Sequence, residues 1–111
     1  MSIRSEKVAE LIRRDLGTLL QRNGRAWFGP LFITVTAVRM APDLGLAKVY
    51  LSFMGVSDKQ AALKAVAAEG WRIRKELGAL IGKQVRIVPE LNFYLDDSLD
   101  RVDEIERALK G

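Results

Sequence analysis

The chain has 111 residues, 49% of them hydrophobic, which is the size of one domain with a single buried core. Its 18 Lys and Arg exceed its 14 Asp and Glu, so the net charge of +4 favours polyanionic partners such as nucleic acid. The absence of cysteine and histidine excludes disulfides, thiolate metal sites and the commonest general base.

The start of the chain carries charges where a signal peptide needs an apolar stretch. No apolar run approaches the roughly 20 residues that cross a bilayer. We therefore expect a single cytoplasmic domain over residues 1–111, neither exported nor embedded in a membrane.

The first predicted element is an amphipathic helix from Ser5 to about Gln21, because apolar residues recur there at three- and four-residue spacing. Its opposite face is basic and includes Arg13 and Arg14. A glycine-marked turn is expected at residues 22–25.

Two aromatic residues, Trp27 and Phe28, follow in what is predicted to be a loop. They could stack on bases, but a loop aromatic more often closes the edge of a core. The second interpretation is preferred.

A β-hairpin is predicted next. Residues 31–40 alternate β-branched and polar side chains, and the alternation slips at Ala37 and Val38, which indicates a bulge. A turn at residues 42–45 leads into a second alternating strand at 47–53.

Two helices should follow in direct succession. Ser57 or Asp58 can cap the first, and Gly70 is expected to end it at positive φ. The second has an apolar stripe of Ile73, Leu77, Leu80 and Ile81, and it ends at residues 82–84.

A third strand is predicted over residues 85–93, with Pro89 indicating an edge position or a bulge and Ile87 facing Leu77 across the core. A short last helix is predicted over 99–109, capped by the acidic residues at 96–98. This order of elements predicts an α+β domain in which helices cover one face of a three-stranded sheet.

Catalytic motifs are weak. Residues 78–84 resemble a phosphate-binding loop but are one residue short between the glycines and lack the Ser or Thr that holds magnesium. The acidic cluster of Asp96, Asp97 and Asp100 is explained more simply by helix capping than by a metal or acid–base site. We expect neither enzymatic activity nor a cofactor.

What remains is a set of basic residues suited to phosphate contact, although solvated surface charge is the alternative for each one. The set consists of Arg13, Arg14, Arg72, Arg74, Lys75, Lys83 and Arg86.

Several blocks in order make the chain resemble the ribosome-binding factor A family from Arg4 to about Ile105. The blocks are VAELI at 8–12, VTAV at 35–38, AKVY at 47–50, RIVPELNF at 86–93 and DDSL at 96–99. Each block is weak alone, and their order and spacing carry the resemblance.

The resemblance implies a type II KH-like fold in which a kinked helix pair, marked Ala-x-Gly, replaces the usual Gly-x-x-Gly loop. This chain has no Gly-x-x-Gly, and Ala68-Glu69-Gly70 matches the kink. Ala68 and Gly70 therefore join the predicted RNA-binding set.

The resemblance also implies a role. Members of the family bind the free small (30S) ribosomal subunit, assist late maturation of 16S rRNA and support growth in the cold, and an assembly GTPase helps their release. We expect a monomer that acts in this way by binding alone.

Three other functions stay open at this point. A generic KH-type module for single-stranded RNA is the first, and a protein-interaction or ligand-sensing domain with incidental charge is the second. The third, a magnesium-dependent hydrolase using Asp96 and Asp97, has the least support.

Overall fold

The computed structural model of the chain describes residues 3–29 and 32–96. The elements are α1 (Ile3–Phe28), β1 (Phe32–Met40), β2 (Leu46–Met54), α2 (Lys59–Ala68), α3 (Gly70–Ile81) and β3 (Glu90–Leu95). This confirms the predicted α+β class with a three-stranded sheet. The helix predicted at 99–109 lies outside the described residues, as do Asp97 and Asp100.

Helix α1 is longer than predicted, because the turn expected at residues 22–25 is helical. The helix instead ends at Phe28 and is capped by Gly29, which has a φ of 78° and whose N–H donates to the Arg25 carbonyl at 3.0 Å. Trp27 and Phe28 therefore lie on the helix and not in a loop. Both are half-buried against the core, which agrees with the preferred interpretation of these aromatics.

Strands β1 and β2 form the predicted antiparallel hairpin. The pairing register shifts between Val35 and Ala37, which confirms the expected bulge. In the connecting turn Leu44 has a φ of 63°, and the Asp43 carboxylate accepts a hydrogen bond from Gly45 N–H at 2.9 Å.

The third strand is shorter than predicted and pairs parallel to the central strand β2. It begins at Glu90, directly after the buried Pro89, because proline cannot donate to a ladder. Residues 82–89 form a connection in which Ile87 is 67% exposed, so the predicted contact of Ile87 with Leu77 is wrong. β3 is nevertheless an edge strand, as the proline suggested.

All three helices pack on one face of the sheet, and the core lies between these two layers. The alternating residues of β2 from Ala47 to Phe53 point into it and belong to the same buried cluster as Ile73, Leu77 and Ile81 of α3. Leu80, expected in the same stripe, is 50% exposed. No helix among the described residues has the length and apolar character needed to span a bilayer.

Candidate nucleic-acid interface

The break between α2 and α3 lies where the Ala-x-Gly match predicted it. The Asp58 carboxylate caps α2 by accepting from Ala61 N–H at 3.0 Å, and α2 ends at Ala68. Glu69 alone separates the helices, with φ −97° and ψ 12° in the sparsely populated bridge region. The two helices are therefore joined by a very tight turn.

Gly70 does not have the predicted conformation. It is the first residue of α3, and the described glycines with positive φ are Gly29 and Gly55. The change of direction is made by the backbone of Glu69, whose N–H donates to the Val66 carbonyl at 3.0 Å. The expectation that Gly70 ends α2 at positive φ is thus wrong.

Gly70→Ala should consequently leave the free energy of unfolding unchanged or raise it by up to about 1 kcal/mol. An added Cβ would meet the Phe93 ring at 3.5 Å, an ordinary van der Waals contact. Thermal melts would check this, with Gly29→Ala as the matched control, since its positive φ should make alanine destabilising. A clear loss of stability in Gly70→Ala would contradict the described break.

Beside the break, the Arg72 guanidinium is within cation–π distance of two indole rings. Its guanidinium carbon is 5.5 Å from the centroid of Trp27, at the end of α1, and 5.5 Å from that of Trp71. Arg72 Nε is also 3.4 Å from a buried oxygen of Glu69 that accepts no hydrogen bond from the described residues. The positive charge of Arg72 thus offsets the free-energy cost of burying the Glu69 oxygen. The same ion pair holds the Arg72 side chain near the break.

Trp71 is 64% exposed, and sequence reasoning did not include it in the site. An exposed tryptophan next to an arginine is a recurrent feature of nucleic-acid surfaces, because the indole stacks and the guanidinium binds phosphate. The adjacent Trp71 and Arg72 were the signal that could have identified it.

Arg74 is occupied within the domain. Its guanidinium donates to the carbonyls of Val88 at 2.7 Å and Pro89 at 3.0 Å, and so fastens the 82–89 connection to α3. Lys83 and Arg86, the basic residues of this connection, follow the C-terminal end of α3 in the chain, whereas the break lies at its N-terminal end.

Arg74→Ala should cost about 1 to 3 kcal/mol of stability, because two charge-assisted hydrogen bonds are lost. Arg74→Lys keeps the charge but lacks the planar fork, so it should remain destabilised. Urea denaturation of both variants tests this. Wild-type stability in Arg74→Ala would mean that the two carbonyl contacts contribute nothing.

Arg13 and Arg14 lie apart from this region. Together with residues 33–35 of β1, at the sheet edge, they border a cavity. Neither arginine borders the cavity that lies between α1 and α3. Arg13 hydrogen-bonds Glu10, which raises the pKa of Arg13 and lowers that of Glu10. Arg14 Nε is 3.2 Å from an Asp15 carboxylate oxygen.

Lys75, Lys83 and Arg86 are exposed and form no ion pair with the described residues. Arg86 also borders a groove of about 510 Å³ together with Arg4 and Asp43. Of the nine predicted site residues, these three offer the least compensated charge to a polyanion.

The structure offers little to the catalytic alternatives. α3 continues helically through Gly78 to Ile81, so residues 78–84 do not form a phosphate-binding loop. Within 3–29 and 32–96, no cluster of acidic side chains could hold a metal ion.

Comparison with known proteins identifies relatives over nearly the whole chain. A family model described as ribosome-binding factor A matches residues 4–109. The ribosome-binding factor A of Cytophaga hutchinsonii is 45% identical over 108 residues, which are 97% of this chain and 81% of that protein.

Solved structures agree in fold. The crystal structure of ribosome-binding factor A from Thermus thermophilus has a TM-score of 0.68 at 23% identity, over 82% of this chain and 94% of that one. A homology model of the Thermus thermophilus protein, fitted into a cryo-EM map of a 30S complex, has a TM-score of 0.60 at 26% identity, over 76% and 86%. The likeness confirms the predicted KH-like fold.

Proposed function

The chain belongs to the ribosome-binding factor A family, and from this we propose that it binds the free small ribosomal subunit through its 16S rRNA. The observation that carries the proposal is the set of exposed cations Lys75, Lys83 and Arg86, on α3 and the connection after it, which form no ion pair with the described residues. Positive charge of this kind binds phosphates independently of sequence. The related Thermus thermophilus protein has been fitted into a map of its 30S complex.

The proposed contact has two parts. Lys75, Lys83 and Arg86, which form no ion pair with the described residues, approach rRNA phosphates. Arg72 with Trp71 stands at the break, where an exposed indole can stack on a base. At the break Ala68 is exposed and Gly70 is partly exposed. Arg13 and Arg14, at the far edge, would make only peripheral phosphate contacts.

We also propose that the chain acts in the cytoplasm as a monomer, assists late maturation of 16S rRNA, supports growth in the cold and is released with the help of an assembly GTPase. Binding alone can do this if the chain has different affinities for two rRNA conformations. No chemical step is then required of the protein.

Co-sedimentation with purified small subunits over a series of salt concentrations tests the proposal. We expect stoichiometric binding at low salt and a steep loss of affinity as salt rises, because phosphate contacts release counterions. Short single-stranded oligonucleotides of rRNA and unrelated sequence are the comparison. Equal affinity for oligonucleotides and subunits would instead favour a generic KH-type module, and binding insensitive to salt would contradict phosphate contact.

A further inference from the structure

The face of the sheet opposite the helices has no covering element among the described residues. Alternate residues of each strand project from it. Residues that pair across the three strands form two adjacent rows on this face. One row consists of Arg39, Lys48 and Asn92, and the other of Ala37, Tyr50 and Tyr94. We call these six residues the open-face site.

Two aromatic rings form its centre. Tyr50 and Tyr94 are partners in the parallel register of β2 and β3, and their rings stack with centroids 5.5 Å apart and planes inclined by 29°. Tyr50 therefore covers one side of the Tyr94 ring. Because β3 is an edge strand, no described strand covers the other side, and Tyr94 is 39% exposed.

A flat ligand could extend this stack by one ring. Nucleic-acid bases do so on aromatic residues of exposed sheets, and every base has a suitable π-face. Asn92, which precedes Tyr94 by two residues on the same strand and is exposed, adds an amide that can hydrogen-bond a base edge.

The charge of the neighbouring row fits a phosphate backbone. Lys48 and Arg39 are in register, and both are exposed without an ion pair to any described residue. Arg39 also borders a groove lined by Glu6 and Glu10 of α1, so Lys48 is the better phosphate ligand. Glu90 is the acidic residue nearest in register to Lys48, on the adjacent strand and two positions before Asn92.

The chemistry of the face disfavours a protein partner. Apart from the tyrosines its central residues are small or polar, and its exposed large apolar pair, Phe32 and Met54, lies at one end. The cores of interfaces between proteins are depleted of lysine, whereas Lys48 lies in the row beside the two central tyrosines.

We propose that the open-face site binds an unpaired RNA strand, with a base stacked on the outer face of Tyr94 and a phosphate on Lys48. This rests on the proposed function, since the strand would belong to the rRNA of the small subunit. The domain would then contact RNA on two sides, through the α2–α3 break on one and through the sheet on the other.

Full-length Tyr94→Leu, Tyr94→Phe and Lys48→Gln test the proposal by fluorescence titration with a labelled oligouridine and by co-sedimentation with small subunits. Tyr94→Leu should weaken oligouridine binding by roughly 5- to 150-fold, the range given by one lost stacking contact. Tyr94→Phe keeps the ring and should bind as the wild type does. Lys48→Gln should lower the salt dependence by about one unit of slope, whereas Tyr94→Leu should leave that slope unchanged.

The outcomes separate the two proposals. If the wild type binds small subunits and oligouridine but Tyr94→Leu binds both equally well, the open-face site is refuted and the proposed function stands. If the wild type binds oligouridine through Tyr94 but not small subunits, the proposed function fails and the site stands.

Thermal melts identify a variant that has lost its fold, in which case the Phe and Lys48→Gln variants decide. A change in self-association caused by Tyr94→Leu, with RNA binding intact, would mean that the face binds a second copy and would overturn the proposal.

Discussion

Replacing Leu77 with alanine should destabilise the domain by roughly 2 to 5 kcal/mol. Leu77 is completely buried on α3, between Ile73 and Ile81. Its truncation to alanine loses the free energy gained by burying the side chain and also leaves a cavity in the core. The helix layer covers the sheet at this point, so the surrounding backbone has little freedom to close the space. Urea denaturation followed by circular dichroism measures the loss.

Leu80 provides the matched control, because it lies on the same helix and is half exposed. Leu80→Ala should change the free energy of unfolding by no more than about 1 kcal/mol. Equal losses in the two variants, or a loss below about 1 kcal/mol for Leu77→Ala, would show that the inward face of α3 has been misidentified.

Replacing Arg72, Lys75 and Arg86 together with glutamine should weaken binding to small subunits by at least roughly tenfold at moderate salt. Each phosphate contact that is lost lowers the slope of log affinity against log salt by about one unit. Lys75 and Arg86 should account for two units, since their charges are uncompensated. Arg72 should contribute less electrostatically, because Glu69 already balances part of its charge.

The matched control removes the same charge elsewhere, at the exposed Lys7, Lys59 and Lys64. Its net charge equals that of the test variant, so a uniform effect of net charge would weaken both alike. Native circular dichroism is required of each protein. If the two triple variants bind equally, Arg72, Lys75 and Arg86 do not form the contact.

Hydrophobic periodicity was sufficient to locate most of the fold, because buried positions recur with the period of their element. It identified the core faces of α1 and α3, the hairpin and its bulge at Ala37. It misplaced the end of α1, since Gly24 can stay helical and the true cap, Gly29, depends on a positive φ. It also extended β3 through Pro89, because apolar residues of the 82–89 connection happen to continue the alternation.

The position of the α2–α3 break was predictable from the sequence, but the residue that turns the backbone there was not. Ala68-Glu69-Gly70 marked the break correctly, yet which residue turns the backbone depends on dihedral angles that composition does not reveal. The two carbonyls bound by Arg74 come from a distant segment, so no local pattern could show that this arginine is structural. The stacked Tyr50 and Tyr94 likewise meet only through the parallel pairing of β2 with β3.

That parallel pairing has a consequence for how the chain folds. The β1–β2 hairpin pairs two strands that are adjacent in the sequence. Leu46 of β2 instead pairs with Glu90 of β3, and the two helices α2 and α3 lie between them in the chain. Closing such a long loop costs entropy before any contact offsets it, and high contact order slows folding. On the translating ribosome, α1 and the hairpin can associate before β3, the last described element in the chain, has been synthesised. Pulse-labelling hydrogen exchange during refolding should therefore protect the amides of β2 that face β1 before the amides of β3.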